Sequence, residues 1–177
     1  NRSSFTVFRD KNSLEHAEKF ARHKQFKLAE DLAYVYFNNI DKIAQYKLDN
    51  YILITWRNLV GYMPANKEQL IMDAILEKVN KIVIEKKYET VVLAALDTNF
   101  DVESCLMLEA KLKSIGLNVY FDRDSSIENI NSLIYNAGFH VSGRLHGSIA
   151  SEFFNTPTLT LSYSPKIEYF YQSINSN

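Results

Sequence analysis

Cysteine is almost absent from this chain, since Cys105 is the single one among 177 residues. One thiol excludes an internal disulfide and a cysteine-based metal cluster, and it fits a reducing, cytoplasmic location. The net charge is also small, because 20 basic and 21 acidic residues leave a formal charge of −1. This charge provides no bulk attraction to nucleic acid. No apolar run is long enough to span a bilayer, and no secretory signal opens the chain.

Glycine is also scarce, with five residues in all, yet three of the five fall within residues 138–147. They are Gly138, Gly143 and Gly147. Glycines grouped in this way indicate that the backbone approaches another group closely. Residues 139–142 read as a strand and residues 148–154 as a helix, so the turn between them predicts helix N–H groups that favour an anion. Arg144 and His146 add cationic donors in the same turn.

The chain is 46% hydrophobic, enough for a substantial core, and its apolar runs alternate with amphipathic helical patterns. This alternation predicts an α/β fold with a doubly wound, parallel, Rossmann-like sheet. The predicted strands are 5–8, 51–56, 90–96, 118–121, 139–142 and 158–163. Polar residues 38–50 predict a surface connection. The predicted helix starts are Asn12, Asn66, Asp101, Ser125 and Ser164, and Asn155 is expected to end a helix in the left-handed conformation.

Residues 142–166, SGRLHGSIASEFFNTPTLTLSYSPK, carry a family resemblance. They resemble the C-terminal signature of the polysaccharide pyruvyl transferases, which run "RLH", a short helix, a glycine-x-proline turn, a strand and then Tyr-Asp-Pro-Lys. The sequence departs from that signature twice, because Asn155 replaces the glycine of the turn and Ser164 replaces the aspartate. Arg144, Leu145 and His146 match it.

Weaker matches to the same family lie nearer the start of the chain. Residues 7–13 resemble its pattern Val-x-Arg-Asp-x-x-Ser and place Arg9 at the carboxyl end of a strand. An alternative for Arg9 is a surface pair with Asp10 or Glu15. Residues 31–33 resemble the family's Asp-x-Ala, although Asp31 also suits a turn or a helix cap. Arg57 ends an apolar strand, as an arginine often does in the family.

The resemblance implies transfer of a pyruvyl group from phosphoenolpyruvate to two sugar hydroxyls, which forms a pyruvate ketal on a cell-surface or exported polysaccharide. It implies no metal and no cofactor, with phosphoenolpyruvate as the donor substrate and a glycan or lipid-linked saccharide as the acceptor. Arg144 and Arg9 would bind the donor's anionic groups, and His146 would bind phosphate or transfer a proton. The further substrate-binding candidates are Arg57, Gly143, Leu145, Gly147 and Lys166.

The family's two-domain, GT-B-like organisation implies that residues 1–177 are one C-terminal Rossmann-like domain, with 1–50 as an inter-domain segment. A missing N-terminal domain would complete the active site in the cleft, so we do not expect these residues alone to catalyse transfer. The resemblance also allows a location at the inner face of the membrane.

Two alternatives remain from the sequence. His146-Gly147, Ser151-Glu152 and Pro157 also resemble a GT-B glycosyltransferase that uses a nucleotide sugar. A non-catalytic carbohydrate-binding or scaffold domain is the other. His140, inside an apolar strand, is interpreted as a hydrogen-bonded core residue, and no metal site shared with His146 is expected because the two lie on different elements.

Overall fold

The computed structural model describes residues 5–21 and 25–174. The strands are β1 (Thr6–Phe8), β2 (Phe26–Leu28), β3 (Tyr51–Thr55), β4 (Thr90–Ala94), β5 (Val119–Asp122), β6 (Phe139–Ser142) and β7 (Thr158–Thr160). The helices are α1 (Lys11–Phe20), α2 (Leu32–Phe37), α3 (Ala65–Lys86), α4 (Val102–Ser114), α5 (Ile127–Asn136), α6 (Leu145–Phe154) and α7 (Pro165–Ile174). In the described part of the chain, no helix combines the length and the apolar character needed to cross a membrane.

Two compact units are formed by the chain, one from residues 40–161 and one from 1–39 with 162–177. In the second unit, β1 and β2 make a parallel two-stranded sheet, which accompanies α1, α2 and α7. The boundary near residue 40 lies inside the predicted inter-domain segment 1–50. The assignment of 1–177 to a single domain stays a prediction.

The larger unit contains a parallel five-stranded sheet in the order β5-β4-β3-β6-β7. The chain adds β4 and β5 on one side of β3 and then returns to add β6 and β7 on the other. Because parallel crossovers are right-handed, this reversal places the connecting helices on opposite faces of the sheet. The α/β, doubly wound fold predicted from the sequence is therefore confirmed.

Strand β3 is the centre of this sheet, and all five of its residues are buried. It pairs with β4 through Ile52 and Val91, and with β6 through Ile52 and Phe139. The reversal of strand order thus falls between β3 and β6. In open α/β sheets, ligands bind in the crevice outside the carboxyl ends of the strands at such a point.

The predicted helix starts were wrong by one to three residues in several places. Asp10, not Asn12, caps α1, and its carboxylate accepts the Ser13 N–H at 2.7 Å. Helix α3 follows Pro64 and begins before Asn66, while Ser126, not Ser125, caps α5. Near α1 and α5, several Asp, Asn and Ser residues offer chemically equivalent caps, so composition alone does not select one, whereas α3 follows Pro64 without a side-chain cap.

Helix α6 begins at Leu145, three residues before the predicted start, and this correction matters for the site. It makes Arg144 the N-cap residue and places His146 in the first turn, not in a loop. The end of α6 was predicted correctly, because Asn155 adopts the left-handed conformation with φ 57°. Strand β7 ends at Thr160 instead of residue 163.

The segment 40–50 has no helix or strand, as predicted for a surface connection, but several contacts anchor it. The buried Tyr46 hydroxyl donates to Asp122 at the end of β5. The Ala44 carbonyl accepts hydrogen bonds from Ser132 and Asn136 of α5. These bonds hold the segment 40–50 against β5 and α5 of the larger unit.

Candidate functional site

The ends of β3 and β6 approach each other closely at Gly143, the residue that follows β6. The Gly143 N–H donates to the Thr55 carbonyl at 2.8 Å. A Cβ atom at position 143 would lie 2.6 Å from the Thr55 carbonyl oxygen and 2.9 Å from the Arg57 nitrogen. Both of those atoms belong to the backbone, so this position requires glycine.

Arg144 follows Gly143 and has an extended backbone, with φ −138° and ψ 143°. Its guanidinium forms a two-pronged pair with Asp101, with Nε to Oδ2 at 2.6 Å and Nη2 to Oδ1 at 2.8 Å. A second carboxylate is also close, since the Asp97 Oδ2 lies 3.4 Å from the Arg144 Nη2. The Arg144 side chain is 19% exposed, whereas that of Asp101 is 0% exposed. A charge-assisted fork of this kind fixes the plane of the guanidinium.

Asp101 also joins the loops that follow β3 and β4. Its Oδ1 accepts the Asn58 N–H at 3.2 Å, and its Oδ2 accepts the Asp97 N–H at 3.3 Å. Together with the Arg144 pair, these bonds tie the segments that follow three neighbouring strands, β4, β3 and β6, to one buried carboxylate.

Hydrogen-bonded hydroxyl groups of three residues hold the backbone of Arg144 in place. The Ser142 hydroxyl donates to the Arg144 carbonyl at 2.9 Å, and the Ser148 hydroxyl donates to Ser142 at 2.9 Å. Ser148 and Thr160 are also hydrogen-bonded at 2.9 Å. The start of α6 is therefore held to both β6 and β7. Engaged in this way, Ser142 and Ser148 act as structural hydrogen-bonding groups.

Arg57 lies beside Gly143, at the end of β3. Its Nη2 donates to the Tyr62 hydroxyl at 2.6 Å, and its guanidinium lies 4.4 Å from the centre of the Tyr62 ring. In the first turn of α6, Leu145 is buried and His146 is exposed. The sequence-predicted residues Arg57, Gly143, Arg144 and His146 are thus brought to one end of the β3–β6 pair.

A family model for polysaccharide pyruvyl transferases matches residues 1–165. The chain belongs to this family. No curated protein matches it. Two solved structures, POFUT1 in complex with GDP and POFUT1 in complex with GDP-fucose, are each similar at 11% identity and a TM-score of 0.44. Each comparison covers 86% of this chain but 48% and 46% of those chains, so the chain spans about half their length.

Two residues of the family pattern, Arg9 and Lys166, lie in the other unit. Arg9 follows β1 and pairs with Asp31 at 2.8 Å, so the alternative of a pair with Asp10 or Glu15 was wrong. Asp31 also caps α2 by accepting the Ala33 N–H, which confirms the helix-cap interpretation. Lys166 is exposed in the first turn of α7. Because β1 belongs to the two-stranded sheet, the role of Arg9 in the family's donor site stays a prediction.

Sequence reasoning did not identify Asp101 as a part of this candidate site. Its position before α4 predicted a helix cap, and Asp101 does occupy the N-cap position, but its side chain makes no cap hydrogen bond. The carboxylate binds Arg144, which is 43 positions away in the sequence. The available signal was a carboxylate in the loop after an apolar strand, at the edge where ligands bind.

His140 of β6 is fully buried, as its interpretation as a core residue requires. One ring nitrogen lies 2.8 Å from the Thr55 hydroxyl, and the other lies 2.6 Å from that of Ser151. Burial lowers the pKa of His140 from 6.5 to about 3, because the charged ring would lose its hydration. The imidazole is therefore neutral at physiological pH.

This buried ring predicts a pH dependence of stability. Below about pH 6.5 the unfolded chain binds a proton at His140 that the folded protein does not bind, so acid favours unfolding. We expect the free energy of unfolding to fall by up to about 1.4 kcal/mol per pH unit from this group between pH 6.5 and 3. Urea unfolding at about pH 7, 6 and 5 measures the slope.

His140→Gln is the matched control, because an amide can bond both hydroxyls and does not titrate. The other histidines are common to both proteins and cancel in the comparison. Equal slopes for the wild type and the variant between about pH 7 and 5 would contradict a neutral His140 in the folded state.

Proposed function

We propose that the protein transfers a pyruvyl group from phosphoenolpyruvate to two hydroxyls of a sugar in a polysaccharide or its lipid-linked precursor. Membership of the polysaccharide pyruvyl transferase family supports the reaction class. The observation that carries the donor assignment is the Arg144 guanidinium, fixed at the start of α6 beside the carboxyl ends of β3 and β6.

Phosphoenolpyruvate carries a carboxylate and a phosphate, so its site requires directed cationic and N–H donors. In this proposal, Arg144 binds one anionic group with its planar guanidinium. The first-turn N–H groups of α6 face the same end of the helix, where the dipole favours negative charge. The Arg144 side chain makes no cap bond to these groups. Arg57, beside Gly143, is a further candidate in this unit for binding an anionic group of phosphoenolpyruvate.

In this reaction, two sugar hydroxyls each form a bond to C2 of phosphoenolpyruvate. A proton joins the methylene carbon, which becomes a methyl group, and the first sugar hydroxyl forms a bond to C2 and loses its proton. The C2–O bond to phosphate then breaks with its electron pair, and the second hydroxyl attacks C2 and loses its proton. One of these two protons balances the methyl group, and the other leaves with phosphate. His146, exposed in the first turn of α6, binds phosphate or moves one of these protons.

Replacing Arg144 by lysine tests the donor assignment in the full-length protein. Lysine keeps the charge but cannot form the two-pronged pair with Asp101 and direct further N–H groups toward the donor at the same time, so we expect the KM for phosphoenolpyruvate to rise by about tenfold to a hundredfold. Phosphate release with an acceptor glycan measures the KM, and mass spectrometry identifies the ketal. Arg123→Lys is the matched control, because Arg123 is an exposed arginine that follows β5 and lies 5.2 Å from the Phe121 ring.

An unchanged KM in the Arg144→Lys variant would contradict the donor assignment. Release of a nucleoside diphosphate from a nucleotide sugar, without consumption of phosphoenolpyruvate, would support the glycosyltransferase alternative. Absence of turnover with either donor in an acceptor screen, together with glycan binding, would support the non-catalytic alternative.

A further inference from the structure

Asp101 uses its carboxylate in a way that its own helix does not need. It occupies the N-cap position of α4, yet its backbone is helical, with φ −101° and ψ −21°, and its side chain caps nothing. Both oxygens bind the Arg144 guanidinium, and the side chain is 0% exposed. A fully buried carboxylate held by directed bonds cannot exchange its partner for water, so its geometry is fixed.

We infer that Asp101 is a positioning residue for the donor site: it fixes the direction in which Arg144 presents its guanidinium to an anionic substrate. The inference rests on the proposed role of Arg144. An arginine side chain has several rotatable bonds, but binding Nε and Nη2 to one carboxylate fixes the plane of the whole group. Asp101 also holds the Asn58 N–H, in the loop that carries Arg57. The Arg144 side chain and the loop that carries Arg57 are therefore both held by the same carboxylate.

Charge and geometry predict opposite effects for removal of this carboxylate. Asp101 is an anion next to a site proposed to bind an anion, so by Coulomb's law alone Asp101→Asn would strengthen donor binding. If Asp101 acts by positioning Arg144, the same variant weakens donor binding, because an amide has one acceptor oxygen and cannot receive both prongs of the fork. The sign of the change distinguishes the two roles.

Asp122→Asn is the matched control. Asp122 is also a buried carboxylate at the carboxyl edge of the sheet, where it accepts hydrogen bonds from the Tyr46 hydroxyl and the Asp124 N–H. Its loss removes a buried carboxylate from the same unit without touching the Arg144 pair. A merely structural effect would therefore appear in both variants, whereas a positioning effect would appear in one.

The kinetic test measures KM and kcat for phosphoenolpyruvate in the full-length protein. We expect Asp101→Asn to raise the KM by about tenfold or more, which corresponds to the loss of one charge-assisted hydrogen bond. Asp122→Asn is expected to leave the KM within about twofold of the wild type. An unchanged or lowered KM in Asp101→Asn would overturn the inference.

A second test does not depend on activity. In protein labelled with 15N-arginine, the Nε–H signal of Arg144 is assigned by its loss in Arg144→Lys. We expect slow solvent exchange of this proton in the wild type and in Asp122→Asn, and fast exchange in Asp101→Asn. Equal exchange in wild type and Asp101→Asn would overturn the inference. If Asp101→Asn does not fold, the wild type decides by itself, because exchange at Arg144 as fast as at the exposed Arg123 would overturn it.

These measurements separate the two proposals. If the wild type does not consume phosphoenolpyruvate, the proposed function fails. The exchange of the Arg144 Nε–H still shows whether Asp101 fixes the guanidinium.

Discussion

Gly143→Ala is expected to destabilise the protein by about 3 kcal/mol or more, at the upper end of the usual effect of overpacking. The added methyl group would lie 2.6 Å from the Thr55 carbonyl oxygen and 2.9 Å from the Arg57 nitrogen. Since both atoms belong to the backbone at the end of β3, no side-chain rotation can relieve the contact. The variant can fold only if the ends of β3 and β6 separate, and this also moves Arg144.

Gly147→Ala provides a comparison within the same site. Its methyl group would lie 2.9 Å from the Ser142 hydroxyl oxygen, which is a side-chain atom. The substitution also gains helix propensity, because position 147 lies within α6. We expect Ser142→Ala to relieve the cost of Gly147→Ala and to leave the cost of Gly143→Ala unchanged.

Urea unfolding of the three single variants and the two double variants measures these effects. A midpoint for Gly143→Ala close to that of the wild type would show that the β3–β6 junction can widen freely. Rescue of Gly143→Ala by Ser142→Ala would place the close contact on the side chain instead of the backbone.

The second large effect is expected for the Arg144–Asp101 pair. Breaking a buried ion pair by removing one partner typically costs about 3–5 kcal/mol, because the remaining charge is left without compensation. Arg144→Met leaves the buried Asp101 carboxylate in this state. Asp101→Leu also removes the acceptor for the Asn58 and Asp97 N–H groups, so we expect it to be the more damaging of the two.

A double-mutant cycle measures the coupling. The Arg144→Met/Asp101→Leu protein is expected to be more stable than the sum of the single effects predicts, by about 1–3 kcal/mol. The control cycle uses Lys81 and Glu85 of α3, an exposed pair at 3.7 Å, for which we expect a coupling of at most about 0.5 kcal/mol. Additive costs at Arg144 and Asp101 would show that their pairing contributes little to folding.

Local patterns in the sequence were sufficient to predict the five strands of the larger sheet, but not their order, and they did not predict β2. The strand 139–142 was predicted with its correct ends, and β3 and β4 differ from their predicted ranges by one or two residues at the carboxyl end. These segments are apolar because parallel strands are covered on both faces, so the pattern and the burial have the same cause. Arg57, Gly143 and Arg144 lie at the carboxyl ends of β3 and β6, as predicted, because each is within two residues of the end of such a strand.

The sequence did not show which of several possible residues is the hydrogen-bond or ion-pair partner of a given side chain. Asp101 suited a helix cap, and Arg9 suited a pair with Asp10 or Glu15, yet both bind residues that are distant in the sequence. Within α3, likewise, Leu70 is 66% exposed while Val79 is buried, although both side chains are apolar. Tertiary packing decides these cases, and local propensity does not contain that information.

The position of β3 has a consequence for how the chain is synthesised. The last neighbour that β3 acquires is β6, so one edge of this mostly apolar strand stays open until residues 139–142 have left the ribosome. An open apolar edge is a template for pairing with other chains, and a nascent chain is exposed to that hazard during translation. Gly143 and Arg144 follow β6 immediately. The residues that cover this edge of β3 are therefore followed at once by two residues of the candidate site, so β6 pairs with β3 at the stage of synthesis at which Gly143 and Arg144 become available.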